Sequence, residues 1–453
     1  MYKKSLIITL LAIVLAAFLY FQPFLFSKAP QPRIIDRLPD ADFIGSVKIL
    51  DLIKETNSML YYYKTPFRDL TSAEYLLGQG KTFGLNLQKE IFIFANDNGE
   101  YGAILQLNDS TKTKQALEKV KQNIAVIDSS KNKMHVYFIP KLNIFLHYDS
   151  KYLLVYSGKN IYKVMNRIHN AKHMGISKLW KEYFALNKFK NENLVVFSKW
   201  KELQKYGVDY AILSHDSDSA NFNLKCYFHK NNQFPFSEMK PGSSLVKGKT
   251  EKASIELHLN AEKFRSSKND PLKKFLIAKG RKISFPMAAF IAAWEGDLSF
   301  AEGGSHEAKE RYIVSEMDED FNVTQHERFR NILVPNYSLL FNTNEKGDYF
   351  INKLIEKGIM QQDGNQFRVL YSPLLYMVKK DNYYYLYSST KRPKVEESIK
   401  NEAYLSLKGT NYFFKLDSIN NQEMMGSVQF SASKLVQQLS KKIKVKSRFI
   451  PND

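Results

Sequence analysis

Gly303-Gly304-Ser305-His306 comes nearest to chemistry: a glycine-rich stretch, read as a flexible loop, sets a hydroxyl beside an imidazole, the pair a hydrolase makes into nucleophile and base. Adjacent residues rarely point at one another, however, and the Gly-x-Ser-x-Gly turn between strand and helix is missing. Gly78-Gln79-Gly80-Lys81-Thr82 looks like the end of a phosphate-binding loop, whose backbone amides and lysine would wrap a nucleotide. That motif needs a glycine five residues before Gly80, where Tyr75 stands, so the stretch reads as a plain loop ahead of a strand at Phe83. His169 and His173 are four apart, a spacing that sets two imidazoles on one helical face as metal ligands. No carboxylate joins them at a recognisable spacing, and histidines at a helix end suit the dipole without a metal.

His215-Asp216-Ser217-Asp218 and the acidic group Glu316, Asp318, Glu319 and Asp320 offer oxygens to a hard cation. Neither has the alternating spacing, glycine and distal glutamate of a calcium loop, so the first reads as a polar hairpin tip and the second as a solvated face. Cys226 lies in NLKCYFH, where strand alternation favours a packed, inert thiol. Tyr383, Tyr384, Tyr385 and Tyr387 could stack on sugars, but alternate residues of a strand face opposite sides, so sheet packing is the expectation. With no catalytic set assembled, the chain is expected not to be an enzyme and to hold no cofactor and no metal.

The last group of interest is basic. From Ser440 the chain reads SKKIKVKSRFI, and Lys441, Lys442, Lys444, Lys446 and Arg448 with interleaved Ile443 and Val445 could lie on an anionic surface. Each such charge is worth up to ~1 kcal/mol near anionic headgroups. The whole chain carries 66 basic and 46 acidic residues, a net charge of +20, which favours anionic partners: membrane surfaces, acidic glycans or nucleic acid.

The elements that position these groups begin with Ser5–Phe26, an almost uninterrupted apolar run behind Lys3 and Lys4. As a helix its residues span about 33 Å, enough for a ~30 Å hydrocarbon core. Ser27-Lys28-Ala29 is a poor cleavage site because Pro30 follows it, and no cysteine lies nearby, so an uncleaved signal anchor is expected. The lysines on the short side keep that end cytoplasmic. The body then lies outside, on the periplasmic side of an inner membrane, and nucleic acid drops out as a partner. One cysteine in 453 residues excludes an intramolecular disulfide, and 44% hydrophobic residues suffice for a sizeable core.

After a proline-bearing tether, Phe43 to Ile49 reads as a strand running into a helix. IFIF and AILQL flank Asn98-Gly99, a hairpin signal; Asn108 to Asn123 reads as a capped helix; HVYFI, NIFLHY and YLLVYS follow as strands; Ile161, Val164, Met165 and Ile168 form a helical stripe. The group recurs. Asp348 to Gly358 reads as a helix, HVYFIP at 135–140 lies over RVLYSP at 368–373, and YLLVYS at 152–157 lies over YYYLYS at 383–388. In that register a second helix begins at Pro393, with Val395 and Ile399 matching Val164 and Ile168. NLVVFSKWKEL from Asn193 and SIELHLNAEKF from Ser254 repeat the strand-to-helix opening. The expected fold is α+β: after one transmembrane helix, two related lobes, each an antiparallel sheet with helices on one face. The segments are 1–33 (cytoplasmic tip, anchor and tether), 34–240 (first lobe) and 241–453 (second lobe).

The anchor, the opening PDADFIGSVKILDLIKE at 39–55 and FGLNLQKEIFIF at 83–94 resemble uncharacterised bacterial envelope proteins with an N-terminal anchor and tandem α+β repeats, whose domain has no assigned function. The resemblance covers most of the chain; it implies an architecture and an address and transfers no active residue. The expected role is a membrane-anchored interaction or structural protein of the cell envelope, with an envelope protein as partner. The alternatives are a binding module for an anionic or glycan envelope component, such as an anionic glycan or lipid, and an unrecognised hydrolase.

Overall fold

The structure is a computed structural model. It describes residues 38–39, 41–62, 73–131, 134–169, 192–215, 221–247, 251–317, 319, 321–363, 366–370, 375–388, 393–397, 405–409, 411–420 and 422–431. The expected anchor Ser5–Phe26 and the basic group Lys441, Lys442, Lys444, Lys446 and Arg448 lie outside the described residues. Among those described, no helix is long and apolar enough to cross a membrane.

The first half opens with β1 (Phe43–Val47) and α1 (Ile49–Tyr62), then α2 (Ala73–Thr82) and the hairpin β2 (Ile91–Ala95) and β3 (Tyr101–Gln106), turned at Asn98-Gly99. α3 (Ser110–Asn123) starts where Asp109 accepts hydrogen bonds from the amides of Thr111 and Lys112 at 2.9 and 3.2 Å, an N-cap. β4 (Ile127–Lys131), β5 (Met134–Ile139), β6 (Ile144–Tyr148), β7 (Tyr152–Ser157), α4 (Ile161–His169), β8 (Leu194–Ser198), α5 (Lys201–Lys205), β9 (Val208–His215) and β10 (Asn221–Lys230) complete it.

The second half runs β11 (Ser243–Leu245), β12 (Ala253–His258), α6 (Glu262–Ser266), α7 (Pro271–Lys282), α8 (Met287–Ala293), β13 (Trp294–Met317), β14 (Val323–Thr343) and α9 (Gly347–Glu356). Then come β15 (Met360–Asp363), β16 (Gln366–Val369), β17 (Tyr376–Lys380), β18 (Tyr383–Tyr387), β19 (Val395–Glu397), β20 (Leu405–Lys408), β21 (Tyr412–Ile419) and β22 (Glu423–Ser431).

The fold is α+β with antiparallel pairing throughout. Across the first half the strands lie in the order β4-β5-β6-β7-β3-β2-β1-β8-β9-β10. Across the second the order is β15-β16-β17-β18-β14-β13-β12-β20-β21-β22, the same path strand for strand. The last strands of the two halves, β10 and β22, pair from Asn221↔Ser431 to His229↔Glu423. One 20-stranded sheet therefore runs through both halves, in place of two sheets each with its own edges.

Helices of each half pack on one face. The α4 stripe Ile161, Val164, Met165 and Ile168 is buried against Ile44, Phe94, Ile104, Leu154 and Phe197. In the second half Phe264, Ile291, Phe350, Ile351 and Leu354 meet Phe341, Met377 and Tyr384. Two details of the expected repeat are corrected. Matching 152–157 to 383–388 sets inward Tyr152, Leu154 and Tyr156 on Tyr383, Tyr385 and Tyr387, yet the helix-facing residue of β18 is Tyr384. With a side-chain period of two, that one-residue slip exchanges the faces. The second helix expected from Pro393 is instead strand β19, whose Val395 to Glu397 pairs with Leu245 to Ser243 of β11 in a separate two-stranded sheet.

Candidate functional site

The fragments with catalytic outlines do not assemble. Gly303 to His306 is no loop: it lies within β13, at a register shift against β14, and His306 Nδ1 is 2.7 Å from Asn336 Oδ1. Gly78 to Thr82 is the last part of helix α2, not a loop, because the helical ladder continues to Thr82, whose hydroxyl donates to the Gly78 carbonyl at 3.0 Å. His169 ends α4, and His173 lies outside the described residues, as do Asp216 to Asp218. His215 is buried with Nδ1 3.0 Å from Glu55 Oε2. Cys226 is buried in β10, where burial pushes its thiol up to about 11, consistent with a packed, unreactive sulfur. Among the described residues no cluster of histidines, cysteines and carboxylates is arranged to hold a metal.

The residues that converge are, Tyr383 aside, ones for which the sequence offered no chemical reading. On β12 Ser254, Glu256 and His258 alternate along one face of the strand, and all three are buried. His258 Nδ1 is 3.1 Å from Asp297 Oδ1, and its Nε2 is 3.3 Å from Glu256 Oε2, so the imidazole sits between two buried carboxylates. Asn342 and Tyr383 donate to Asp297 Oδ2 at 3.1 and 3.0 Å. On the other side Ser299 donates to Glu256 Oε1 at 2.7 Å, and Lys247 Nζ stands 3.1 Å away.

Two backbone devices build this group. β13 carries a register shift between Trp294 and Leu298, where Gly296 at φ +120° approaches so closely that a Cβ would meet the Leu259 carbonyl oxygen at 1.7 Å. Asp297 is the direct cross-strand partner of His258, as Ser299 is of Glu256, so the pleat of β12 and β13 sets the four on one face. Above it, a Cβ on Gly242 would lie 2.1 Å from Asp297 Oδ1 and 2.2 Å from His258 Nδ1, so only glycine lets the chain close over the pair. β11 follows directly, and its Leu245 amide donates to Ser299 Oγ at 3.0 Å while its side chain packs on Leu340 and Tyr385.

Electrostatics follow from this enclosure. Burial alone would lower His258, but its contacts with Asp297 and Glu256 outweigh that and hold it up at about 9. The imidazole is therefore a cation at neutral pH, matched to two acids beside Lys247. Burial, with Asp297 adjacent, pushes Tyr383 up to about 12. His258 is 1% exposed and its two ring nitrogens face Asp297 and Glu256, so the three side chains form a buried ion cluster.

A second feature lies on the surface. β12 pairs with β13 only as far as Glu302, and β18 pairs with β14 only from Ser338, so the rest of β13 and β14 projects as a two-stranded arm. From Ser305 to Met317 it extends about 40 Å. One face of the arm carries an ion-pair ladder: Arg330 Nε to Glu310 Oε2 at 2.5 Å, Arg328 Nη2 to Glu316 Oε1 at 2.5 Å, and the Arg330 guanidinium 5.6 Å from the Tyr312 ring centre. On the opposite face Ile313, Met317, Val323, Phe329 and Leu333 are between 58% and 69% exposed, with Phe321 at the tip 82% exposed. Arg311 pairs with Glu327 on the same face as the apolar group. Of the acidic group expected as a solvated face, Glu316 and Glu319 are exposed at this tip, and Asp318 and Asp320 lie outside the described residues.

No protein-family model matches the chain, and no curated protein matches it. Among solved structures, crystal form III of TP0453 aligns with 45% of this chain and 82% of its own at 8% identity, with a TM-score of 0.30. Crystal form I of the same protein aligns with 46% and 81%, also at 8% identity and 0.30. That likeness is too slight to carry an argument.

Proposed function

We propose that the chain is a membrane-anchored interaction protein of the bacterial cell envelope, held by Ser5–Phe26 with its body on the extracytoplasmic side of the inner membrane, and that it is not an enzyme. The observation that carries this reading is the arm: five large apolar side chains on one face of a projecting ribbon, each more than half exposed. An exposed apolar surface of that kind on a projecting element marks a place where another surface docks. The two halves, with their common strand order, serve as related lobes of one rigid body that presents the arm. The resemblance to anchored envelope proteins of tandem α+β build supplies the address.

The test is crosslinking in native membranes followed by capture of the tagged protein, comparing the full chain with a version in which 307–333 is replaced by an Asn-Gly turn and one lacking 1–33. A crosslinked product that needs both the arm and the anchor supports the reading. Products indifferent to the arm would sink it.

A second reading rests on a different feature, a polar cleft of about 370 Å³ lined by Asp42, Asn96, Asn98, Glu100, Asn160 and Lys163 among others. Amides, carboxylates and an ammonium around one opening suit a glycan, the binding-module alternative. Saturable binding of envelope polysaccharide fragments, lost in Asn98→Ala and Lys163→Ala, would favour it, and no binding by calorimetry would remove it.

A further inference from the structure

We propose that the partner of the arm is the arm of a second copy of this chain, the two packing face to face and antiparallel about a two-fold axis. The proposal rests on reading the arm as an interaction element and names what it binds.

The reason lies in the order of side chains along the apolar face. Cross-strand partners on that face are Glu307 with Leu333, Lys309 with Asn331, Arg311 with Phe329, Ile313 with Glu327, Ser315 with Gln325 and Met317 with Val323. Turned end for end, the central pairs of this series match. Leu333 falls on Val323 and the exposed Glu307 beside it on Met317, the polar pair Lys309 and Asn331 falls on Ser315 and Gln325, and the mixed pair of Arg311 and Phe329 falls on Ile313 and Glu327. At the centre two arginines and two glutamates then gather around the axis, with Phe329 and Ile313 of both copies between them. An isologous interface demands this self-complementarity. A face of mixed sign and no net charge at its centre does not fit a partner of one sign.

Two other features agree. The arm tip carries Glu316 and Glu319 with Asp318 and Asp320 in sequence, which opposes its insertion into an anionic bilayer. Among the described strands, those of the arm pair only with each other from 305 to 334, and stacking on a second arm covers the apolar face of a ribbon that is only marginally stable alone.

The experiment uses the full chain extracted in detergent. Sedimentation is expected to show a dimer that Phe329→Asp weakens at least about tenfold. Arg311→Glu alone gathers four acids at the axis and Glu327→Arg alone gathers four arginines, so each variant is expected to be monomeric, and mixing the two restores the dimer. That rescue cannot come from the folding of either chain by itself. Leu333→Cys mixed with Val323→Cys is expected to be joined by a short bis-maleimide, since facing residues of two packed sheets lie about 10 Å apart. Leu333→Cys alone is not, since its two copies lie roughly 33 Å apart. A monomeric full chain, or a dimer indifferent to the charge swap, would overturn the pairing. An arm-dependent crosslink to some other protein, with no dimer, would also overturn it while leaving the interaction reading intact; loss of every arm-dependent product would remove both.

Discussion

The two halves follow one strand order but finish the second face of the sheet in opposite ways. In the first half a row crosses the strands as Leu213, Val196, Gly45, Ile93, Ala103, Val155 and Leu146, every residue apolar and all but Gly45 half-buried. A shallow groove of about 390 Å³ lies over it. In the second half the corresponding row reads Ser406, Glu256, Ser299, Leu340, Tyr385 and Val378. There the two-stranded sheet of β11 and β19 closes over the row, burying Glu256, His258 and Asp297 with it. Polar residues are thus enclosed beneath the lid, and apolar ones are left half-open where, among the described residues, no lid lies. Charges that match one another can be roofed over, here with Glu256 Oε2 held by its ion contact with His258 and by no hydrogen bond.

The sharpest way to break the contrast is Asp297→Ala. It leaves the His258 cation, Asn342 and Tyr383 without their acceptor, and removing one partner of a buried ion pair costs about 3–5 kcal/mol. Urea denaturation is expected to show a loss of that size, whereas a loss under about 1 kcal/mol would mean that the cluster is solvated in solution.

Next in size is a paired truncation on the two rows. Leu340→Ala, at a side chain with no exposure, is expected to cost about 2–5 kcal/mol, and Ile93→Ala, on the half-open row, distinctly less. Equal losses would show that something covers the first-half face.

The pH dependence follows from His258. Its folded value of about 9 lies above the ordinary 6.5, so the stabilisation is fully present below pH ~6.5 and is lost as pH rises through 9. The shift amounts to about 3 kcal/mol. Denaturation midpoints measured from pH 6 to 10 should fall accordingly, and His258→Gln should flatten that fall.

The smallest expected effect belongs to the arm. Replacing 307–333 by a turn spares buried Val334 and the Pro335 carbonyl that Ser388 bonds, and removes mostly exposed side chains, so melting of the body should shift by no more than about 0.5 kcal/mol while association is lost. A large drop in stability would mean that the arm is part of the core.

Alternation and turn chemistry were sufficient for the local elements. The α4 stripe, the Asp109 cap, the Asn98-Gly99 hairpin and the inward Phe350, Ile351 and Leu354 all follow from periods of 3.6 and 2 and from single capping groups, which act within a few residues. The recurrence of the group was legible too, but its register was not, because six-residue motifs such as YLLVYS and YYYLYS tolerate a slip that exchanges faces. Three features belong to tertiary structure alone. The burial of Glu256 and His258 depends on β11 and β19, which meet from positions about 150 residues apart in sequence. The joining of the halves through β10 and β22 is a pairing across some 200 residues. The arm exists because β12 and β18 stop pairing before β13 and β14 do, a mismatch in length that appears only when the strands are laid side by side.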